Sequence, residues 1–297
     1  MYVLLGANGN ITSKVARTLL AQGAQVRVTG RSAQRLAPLA QAGAQVAAGD
    51  PADTAFLTEV MRNAQAVYAM TPPQYGALAP ALEYARVGEA VARAIAAAGV
   101  KRVVNLSSIG AHLPEGTGPI AGLHQQEQRL NQLSGVQLLH LRPGYFFENH
   151  LHAIPLIQAL GVYTDTLAPD LPIPTIATSD IAAVVVRELT QSGSGVGARV
   201  LHVRGPDNHS MAQAAALLGK AIGQPDLPYV QADPAQAKAG LIQAGFSAAM
   251  ADLMLAMNRA MTTPAFSAQM QAGPTEVTSM SLAQFAATFK AAYTRAA

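Results

Sequence analysis

The sequence predicts an α/β fold, a doubly wound parallel sheet followed by a smaller, mostly helical C-terminal lobe. Three observations carry that prediction. Short apolar runs alternate with segments of helical period through the first half of the 297 residues. A glycine turn, Gly6-Ala7-Asn8-Gly9, joins the first apolar run to the first helical segment. After Gly144 the alternation gives way to a proline-punctuated stretch and then to helical segments rich in Ala, Gln and Met. Strand–helix alternation with short connections implies parallel strands covered on both faces, and right-handed crossovers make the doubly wound order the expected one.

The elements follow in order. Val3, Leu4 and Leu5 form the first strand, and Ile11, Val15 and Leu19 recur at helical spacing. Residues 25–29 alternate, with Val26 and Val28 on one face. Leu36, Leu39 and Ala40 mark a short helix over 34–42, and residues 45–48 are the next strand. Phe56, Leu57, Val60 and Met61 predict a helix, residues 66–70 a strand, and Val87, Val91 and Ile95 a longer helix. Val103, Val104 and Leu106 place a strand over 102–107. Leu130 and Leu133 lie on a helix ending near Gly135, before a strand over 136–141 closed by Arg142-Pro143-Gly144. Farther on, Asp180 starts a helix with Ile181, Val184, Val185 and Leu189, and residues 199–204 form a strand. Ser210 caps a helix reaching Ile222, residues 234–261 are helical, and Ser281 opens a last amphipathic helix with Leu282, Phe285, Phe289 and Tyr293.

Composition narrows the function. Half of the chain is hydrophobic, only 12% is charged, and the net charge is +3. Disorder is not expected. Lys and Arg do not cluster, so no nucleic-acid partner is expected. No apolar run of about 18 residues suggests a membrane partner. The start, Met1-Tyr2-Val3-Leu4-Leu5, lacks the pattern of a signal peptide, and a cytoplasmic location is expected. The absence of cysteine removes disulfides, thiolate nucleophiles and Cys-ligated metals. A small-molecule partner fits these limits, and a homo-oligomer is compatible with them.

The strongest local signal is Gly6-Ala7-Asn8-Gly9-Asn10-Ile11-Thr12, between the first strand and the first helix. Glycines there let backbone approach a pyrophosphate that rests on the helix N-terminus. Thr12 stands where a third glycine is usual. After the second strand, Val28-Thr29-Gly30-Arg31-Ser32 offers no carboxylate for a ribose hydroxyl. Arg31, with Arg35 assisting, could instead pair with a 2′-phosphate, which favours NADP(H) over NAD(H). Asp50 follows the third strand as an acceptor for the adenine amino group or as a helix cap. Met70-Thr71-Pro72 ends the fourth strand, where ribose and nicotinamide would pass.

These residues carry a family resemblance. Gly6 to Ile11, Gly30-Arg31, Gly49-Asp50, Leu141-Arg142-Pro143-Gly144-Tyr145-Phe146-Phe147-Glu148-Asn149 and Ser179-Asp180-Ile181-Ala182 occur in this order. Together they resemble the NmrA-like group of atypical short-chain dehydrogenase/reductases. That group includes NADPH quinone reductases, triphenylmethane-dye reductases, azo-dye reductases and regulators that bind NADP without doing chemistry. The resemblance implies a Rossmann NADP-binding domain over residues 1–150, to which residues 175–205 return. Residues 151–297 would form a substrate or C-terminal lobe, with the substrate in the cleft between. It also implies that Pro143, Gly144 and Tyr145 lie beside the cofactor.

The sequence departs from ordinary short-chain dehydrogenases in one respect. None of its eight tyrosines is followed four residues later by lysine, so the usual Tyr-x-x-x-Lys acid pair is missing. The expected helix reads His124-Gln125-Gln126-Glu127-Gln128 instead. Quinones, azo bonds and conjugated cations accept hydride without a strong enzymic acid, whereas a ketone's alkoxide needs one. An NADPH-dependent reductase of conjugated aromatics, without flavin or metal, is therefore expected. A non-catalytic NADP sensor and a carbonyl or imine reductase are the alternatives. Proton-donor candidates are His124, Tyr145 and Tyr75. Ser107-Ser108 could hold a substrate oxygen or form a turn. His150 and His152 are spaced for a metal only if extended, and are read as structural.

Overall fold

The computed structural model describes residues 1–191, 193, 195–266, 268 and 273–296. Strands β1 (Tyr2–Leu4), β2 (Val26–Gly30), β3 (Gln45–Ala48), β4 (Ala66–Ala69), β5 (Arg102–Leu106) and β6 (Gln137–Pro143) alternate with helices α1 (Asn10–Ala21), α2 (Ala33–Gln41), α3 (Thr54–Met61), α4 (Pro80–Ala97) and α5 (Ile120–Leu130). Beyond them lie β7 (Tyr145–Phe146), a 3-10 segment (Phe147–Ala153), α6 (Ile154–Leu160), β8 (Tyr163–Asp165), β9 (Ile173–Ile176) and α7 (Thr178–Thr190). The chain ends with β10 (Gly197–Arg204), β11 (Asn208–His209), α8 (Met211–Ala221), β12 (Tyr229–Gln231), α9 (Pro234–Gln243), α10 (Ala248–Met261), β13 (Thr275–Val277) and a C-terminal helix (Leu282–Ala296).

The main sheet has eight strands in the order β13-β10-β6-β5-β4-β1-β2-β3. Every pairing in it is parallel. The order reverses between β1 and β4, and in such sheets the crevice for ligands opens at the carboxyl ends of the strands flanking that switch. Both faces are covered. On one, Val15 and Leu19 of α1 and Val184 and Val185 of α7 pack against Leu4, Val28 and Leu141. On the other, Leu57, Val91 and Ile95 of α3 and α4 pack against Val3, Val67 and Val103. Burial on both faces explains why Ala66-Val67-Tyr68-Ala69 reads as a continuous apolar run rather than an alternating strand.

The smaller lobe has its own core, where Phe147, Tyr163, Met211, Leu218, Phe285 and Phe289 meet. A fourth cluster joins lobe to sheet through Ile109, Ala111 and Ile120 on one side and Ala260 and Phe266 on the other. Gly118 makes that junction close. Its φ is +59°, and a Cβ there would lie 2.0 Å from the Leu253 carbonyl oxygen of α10. Only glycine meets both conditions without strain.

Three expectations need correction. The helical stretch 234–261 is broken between α9 and α10, where Gly245 takes φ +93° and Ser247 starts a new helix by accepting from the Met250 amide. The helix expected to start at Asp180 begins at Thr178, and Asp180 instead accepts from the Met280 amide. Strand β13 was not expected. Its sequence, Thr-Glu-Val, is short and polar, and it holds the edge by pairing with β10 while Glu276 receives two hydrogen bonds from Arg187. The capping of α8 is as read, since Ser210 and Gln213 form a reciprocal capping box. Of the described residues, no helix is long and apolar enough to cross a membrane.

Candidate active site

The phosphate loop sits at the carboxyl edge of β1. Gly6 takes φ +69°, and a Cβ on it would fall 2.4 Å from the Met70 sulfur. The Ala7 amide donates to the Thr29 carbonyl at 2.8 Å and the Gly9 amide to the Gly6 carbonyl at 3.0 Å, which pins the loop between β1 and β2. Gly9 is the N-cap of α1 in extended conformation. No side chain caps the helix there and no acidic residue stands in its first turn. The first amides of α1, over Asn10 and Ile11, therefore meet the crevice with the positive end of the helix dipole, a setting that fits a phosphate. Thr12, in place of the third glycine, is buried and donates its hydroxyl to the Leu5 carbonyl at 3.2 Å. That bond satisfies the polar atom, so close packing of helix on strand survives the substitution.

The cofactor residues expected from sequence lie at or just past the carboxyl ends of β1, β2, β3, β4 and β6. Arg31 is exposed just past β2 and donates to Gln74 Oε1 at 3.2 Å. Asp50 is not a helix cap, because α3 is capped by Asp53. Asp50 instead accepts from the Ala52 amide and pairs with Arg86 at 3.1 Å. The amide bond and the Arg86 guanidinium hold its carboxyl below the usual range. Met70, Thr71 and Pro72 follow β4, with Thr71 buried and Met70 against Gly6. Pro143 ends β6, and the Gly144 amide donates to Val203 of β10 at 3.0 Å.

The acid candidates are placed differently from one another. His124 lies half-buried on α5, and its Nδ1 donates to the Ala111 carbonyl at 2.9 Å. That bond fixes the orientation of the ring. Tyr145 lies in β7, paired with β9, its ring 5.5 Å from that of His150. Burial pushes its phenol far above the ordinary value. Tyr75 is 45% exposed, and its ring lies tilted against that of Phe246 of the small lobe, centroids 4.5 Å apart. Its backbone carbonyl receives the Ser247 amide. Tyr75 therefore ties the loop after β4 to the lobe. Phe147 is wholly buried against Phe285 and belongs to the lobe core. His150 is buried against Tyr163 while His152 is exposed, and among the described residues no group of three or more His, Asp or Glu could hold a metal.

Three features were missed in the sequence. Glu127, one turn beyond His124, is buried and receives Arg142 Nε at 2.9 Å, Arg142 Nη2 at 2.5 Å and the Ser107 hydroxyl. This network fixes the ends of β5 and β6 at the crevice floor. Glu148 accepts from Lys14 of α1 at 3.2 Å and from the Thr178 amide at 3.0 Å, which binds the phosphate-loop helix to the start of α7. Glu127, Arg142 and Glu148 all stand in motifs noted above, but pairings across elements leave no mark in a linear pattern. The third is a cavity of about 550 Å³ past the carboxyl ends of β5, β6 and β10, walled by Ile109, Pro172, Met261 and Phe266. Of the methionines spaced along α10, Met250 is core and Met261 reaches this wall.

Comparison with known proteins decides the lineage of this site. The family described as NAD(P)H-binding matches residues 6–192. The chain belongs to this NAD(P)H-binding family. A (4-alkanoyl-5-oxo-2,5-dihydrofuran-3-yl)methyl phosphate reductase of Streptomyces griseus is 31% identical over 227 residues, 76% of this chain and 75% of that one. An NAD(P)H azoreductase of Xenophilus azovorans is 31% identical over 254 residues, 86% of this chain and 85% of that one. Among solved structures, an NADPH-dependent quinone oxidoreductase of Escherichia coli, complexed with NADPH, superposes with a TM-score of 0.75 at 24% identity, covering 97% of this chain and 99% of that one. The NmrA-like fold that the motifs implied is thus the fold of this NAD(P)H-binding protein.

Proposed function

We propose that this protein is an NADPH-dependent reductase passing hydride directly to a quinone, an azo compound or a related conjugated aromatic. The observation that carries the reading is an apolar cavity at the carboxyl edge of the sheet, in a chain with no Tyr-x-x-x-Lys acid pair. When bound, NADPH supplies the hydride. The work of the chain is to position the acceptor, keep water out and manage one proton. Gly6, Ala7, Asn8, Gly9, Asn10 and Ile11 would hold the pyrophosphate, and Asp50 would face the adenine. Met70, Thr71 and Pro72 would support the ribose–nicotinamide end, with Pro143, Gly144 and Tyr145 opposite. His124 is the first choice as proton donor, because the Ala111 carbonyl engages Nδ1 and orients Nε2. An acceptor that delocalises charge asks little of that donor.

Residues 1–150 with 175–205 would form the nucleotide-binding part and 151–297 the substrate lobe. The cytoplasm is the setting that supplies NADPH. Mixing the purified protein with NADPH and a panel of quinones and azo dyes tests the proposal. Loss of NADPH absorbance with acceptor reduction supports it. Tight nucleotide binding with no turnover on the panel would favour an NADP sensor.

Coenzyme choice is tested separately. Arg31 hydrogen-bonds Gln74 and feels the Asp50 carboxylate only through space, so its planar fork is available to a 2′-phosphate. Arg31→Ala is expected to weaken NADPH binding by roughly 10–100-fold, the size of a charge-assisted contact, while NADH affinity stays within about twofold. Calorimetric titration of both nucleotides decides it, and equal losses would defeat the assignment.

A further inference from the structure

The cavity holds one charge. Arg204 ends β10 and lines the cavity with its side chain half-buried. Its Nη1 donates to the carbonyls of Gly205 and Pro206, at 3.0 and 3.1 Å. Among the described residues no carboxylate lies within ion-pair distance of it, and no Asp or Glu lines the cavity. By contrast, Arg142 of β6, Arg187 of α7 and Arg199 near the start of β10 are each paired with a glutamate. A half-buried guanidinium facing apolar walls without a counter-ion is poorly satisfied and is a ready partner for an anion. Asn208 of β11, also in the lining, adds a neutral amide.

The sheet sets where that charge stands. Ile109 follows β5, and its amide donates to the Pro143 carbonyl at 3.0 Å, so the inner wall of the cavity meets the edge of β6 beside Gly144. Val203 pairs with Pro143 across the β10–β6 ladder. Arg204 therefore lies one strand out from Gly144 and two strand spacings, about 10 Å, from the end of β5. A flat molecule entering at the inner wall would place its far end at Arg204.

We propose that Arg204, assisted by Asn208, is an anion-recognition subsite at the outer end of the substrate cavity. The preferred acceptors would then be aromatic molecules with a carboxylate, sulfonate or phosphate on the end remote from the atoms that receive hydride. The subsite deepens the reductase reading and rests on it for its catalytic consequence, but the binding itself can be measured without turnover.

The test uses 2-naphthoate, 2-naphthalenesulfonate, 2-naphthyl phosphate and neutral 2-naphthamide, titrated by calorimetry into the intact protein with NADP⁺ present. At least one of the three anions is expected to bind roughly tenfold or more tightly than the amide, and the rank among them tells which anion the subsite takes. Arg204→Met should remove that advantage and leave amide affinity within about twofold. Arg204→Lys, which keeps a point charge but loses the fork, should retain part of it. A melting curve for each variant shows that it is folded, and should Arg204→Met not fold, Arg204→Lys and Asn208→Ala carry the comparison. Equal affinities for anions and amide, no binding of any anion, or an anion preference untouched by these substitutions would overturn the subsite, even with quinone reduction intact. Arg204-dependent anion binding in a protein that reduces no acceptor would leave the subsite standing and overturn the reductase reading.

Discussion

Replacing Glu127 by alanine is expected to cost about 3–5 kcal/mol of stability, far more than its place on a polar-looking helix suggests. The side chains of Glu127 and Arg142 are only 3% and 7% exposed, and they meet in a two-point fork. Removing the carboxylate leaves the guanidinium buried without its counter-charge, and the Ser107 hydroxyl loses its acceptor as well. Urea unfolding followed by circular dichroism measures the change. The exposed pair Glu59–Arg62, with side chains 69% and 66% exposed, is the control. Glu59→Ala should change stability by less than about 1 kcal/mol. The double change Glu127→Leu with Arg142→Met should recover much of the loss, because it removes both charges and refills the space. A drop of under about 1 kcal/mol for Glu127→Ala would show that water or a rearranged partner satisfies Arg142, and the network would then not be what fixes the crevice floor.

That network also marks where sequence reading stops. Gly6 and Gly9 are legible because a strand–glycine–helix junction has one backbone solution, written in consecutive residues. Strands β1, β4, β5 and β6 are legible because burial on both faces makes them plain apolar runs, and β2 because it alternates. Ser210 is legible because a cap and its box lie three residues apart. Glu127 and Arg142 stand 15 positions apart on a helix and a strand, and only packing brings them together. Edge strand β13 is invisible for a related reason: Thr275, Glu276 and Val277 have no apolar pattern, and pairing with β10 defines them. Asp50 was ambiguous in sequence because Asp53, three residues on, is the better-placed cap, and backbone geometry alone distinguishes the two. The cavity is assembled from Ile109, the 171–174 turn, Arg204 and the end of α10, so no single segment could announce it. Nor could spacing show that Tyr75 is held by Phe246 and the Ser247 amide.

Stability is expected to fall steeply as the pH drops from about 6.5 toward 4, before most carboxylates titrate. His140 is buried between two amides: its Nδ1 accepts from Asn105 Nδ2 at 3.1 Å and its Nε2 donates to Asn131 Oδ1 at 2.9 Å. Those partners specify the neutral ring, since a proton on Nδ1 would meet a donor. Burial lowers its pKa from 6.5 to about 4, with Arg142 adding to the effect against Glu127. His150 is lowered to about 3 by burial and by nearby His209. For both groups the folded value lies below the unfolded one, so below pH 6.5 the unfolded chain takes up protons that the folded chain refuses. Each histidine then removes about 1.4 kcal/mol per pH unit until its folded value is reached, and neither contributes above pH 7. His202, lowered to about 4 by burial and by Arg142, and His209, lowered by burial, steepen the fall in the same window, while other groups lie outside it or oppose it. Asp50 and Glu276, held low by amide or arginine partners, lose their contribution only at more acid pH, and Asp165, raised by burial, favours the folded state on acidification. Urea midpoints at pH 7, 6 and 5 measure the slope. His140→Gln, which never takes the proton, should flatten it by about 1.4 kcal/mol per pH unit even if the variant starts from lower stability. A midpoint that stays level from pH 7 to 5, or a slope unchanged in the variant, would mean that His140 is reached by water or protonated in the fold.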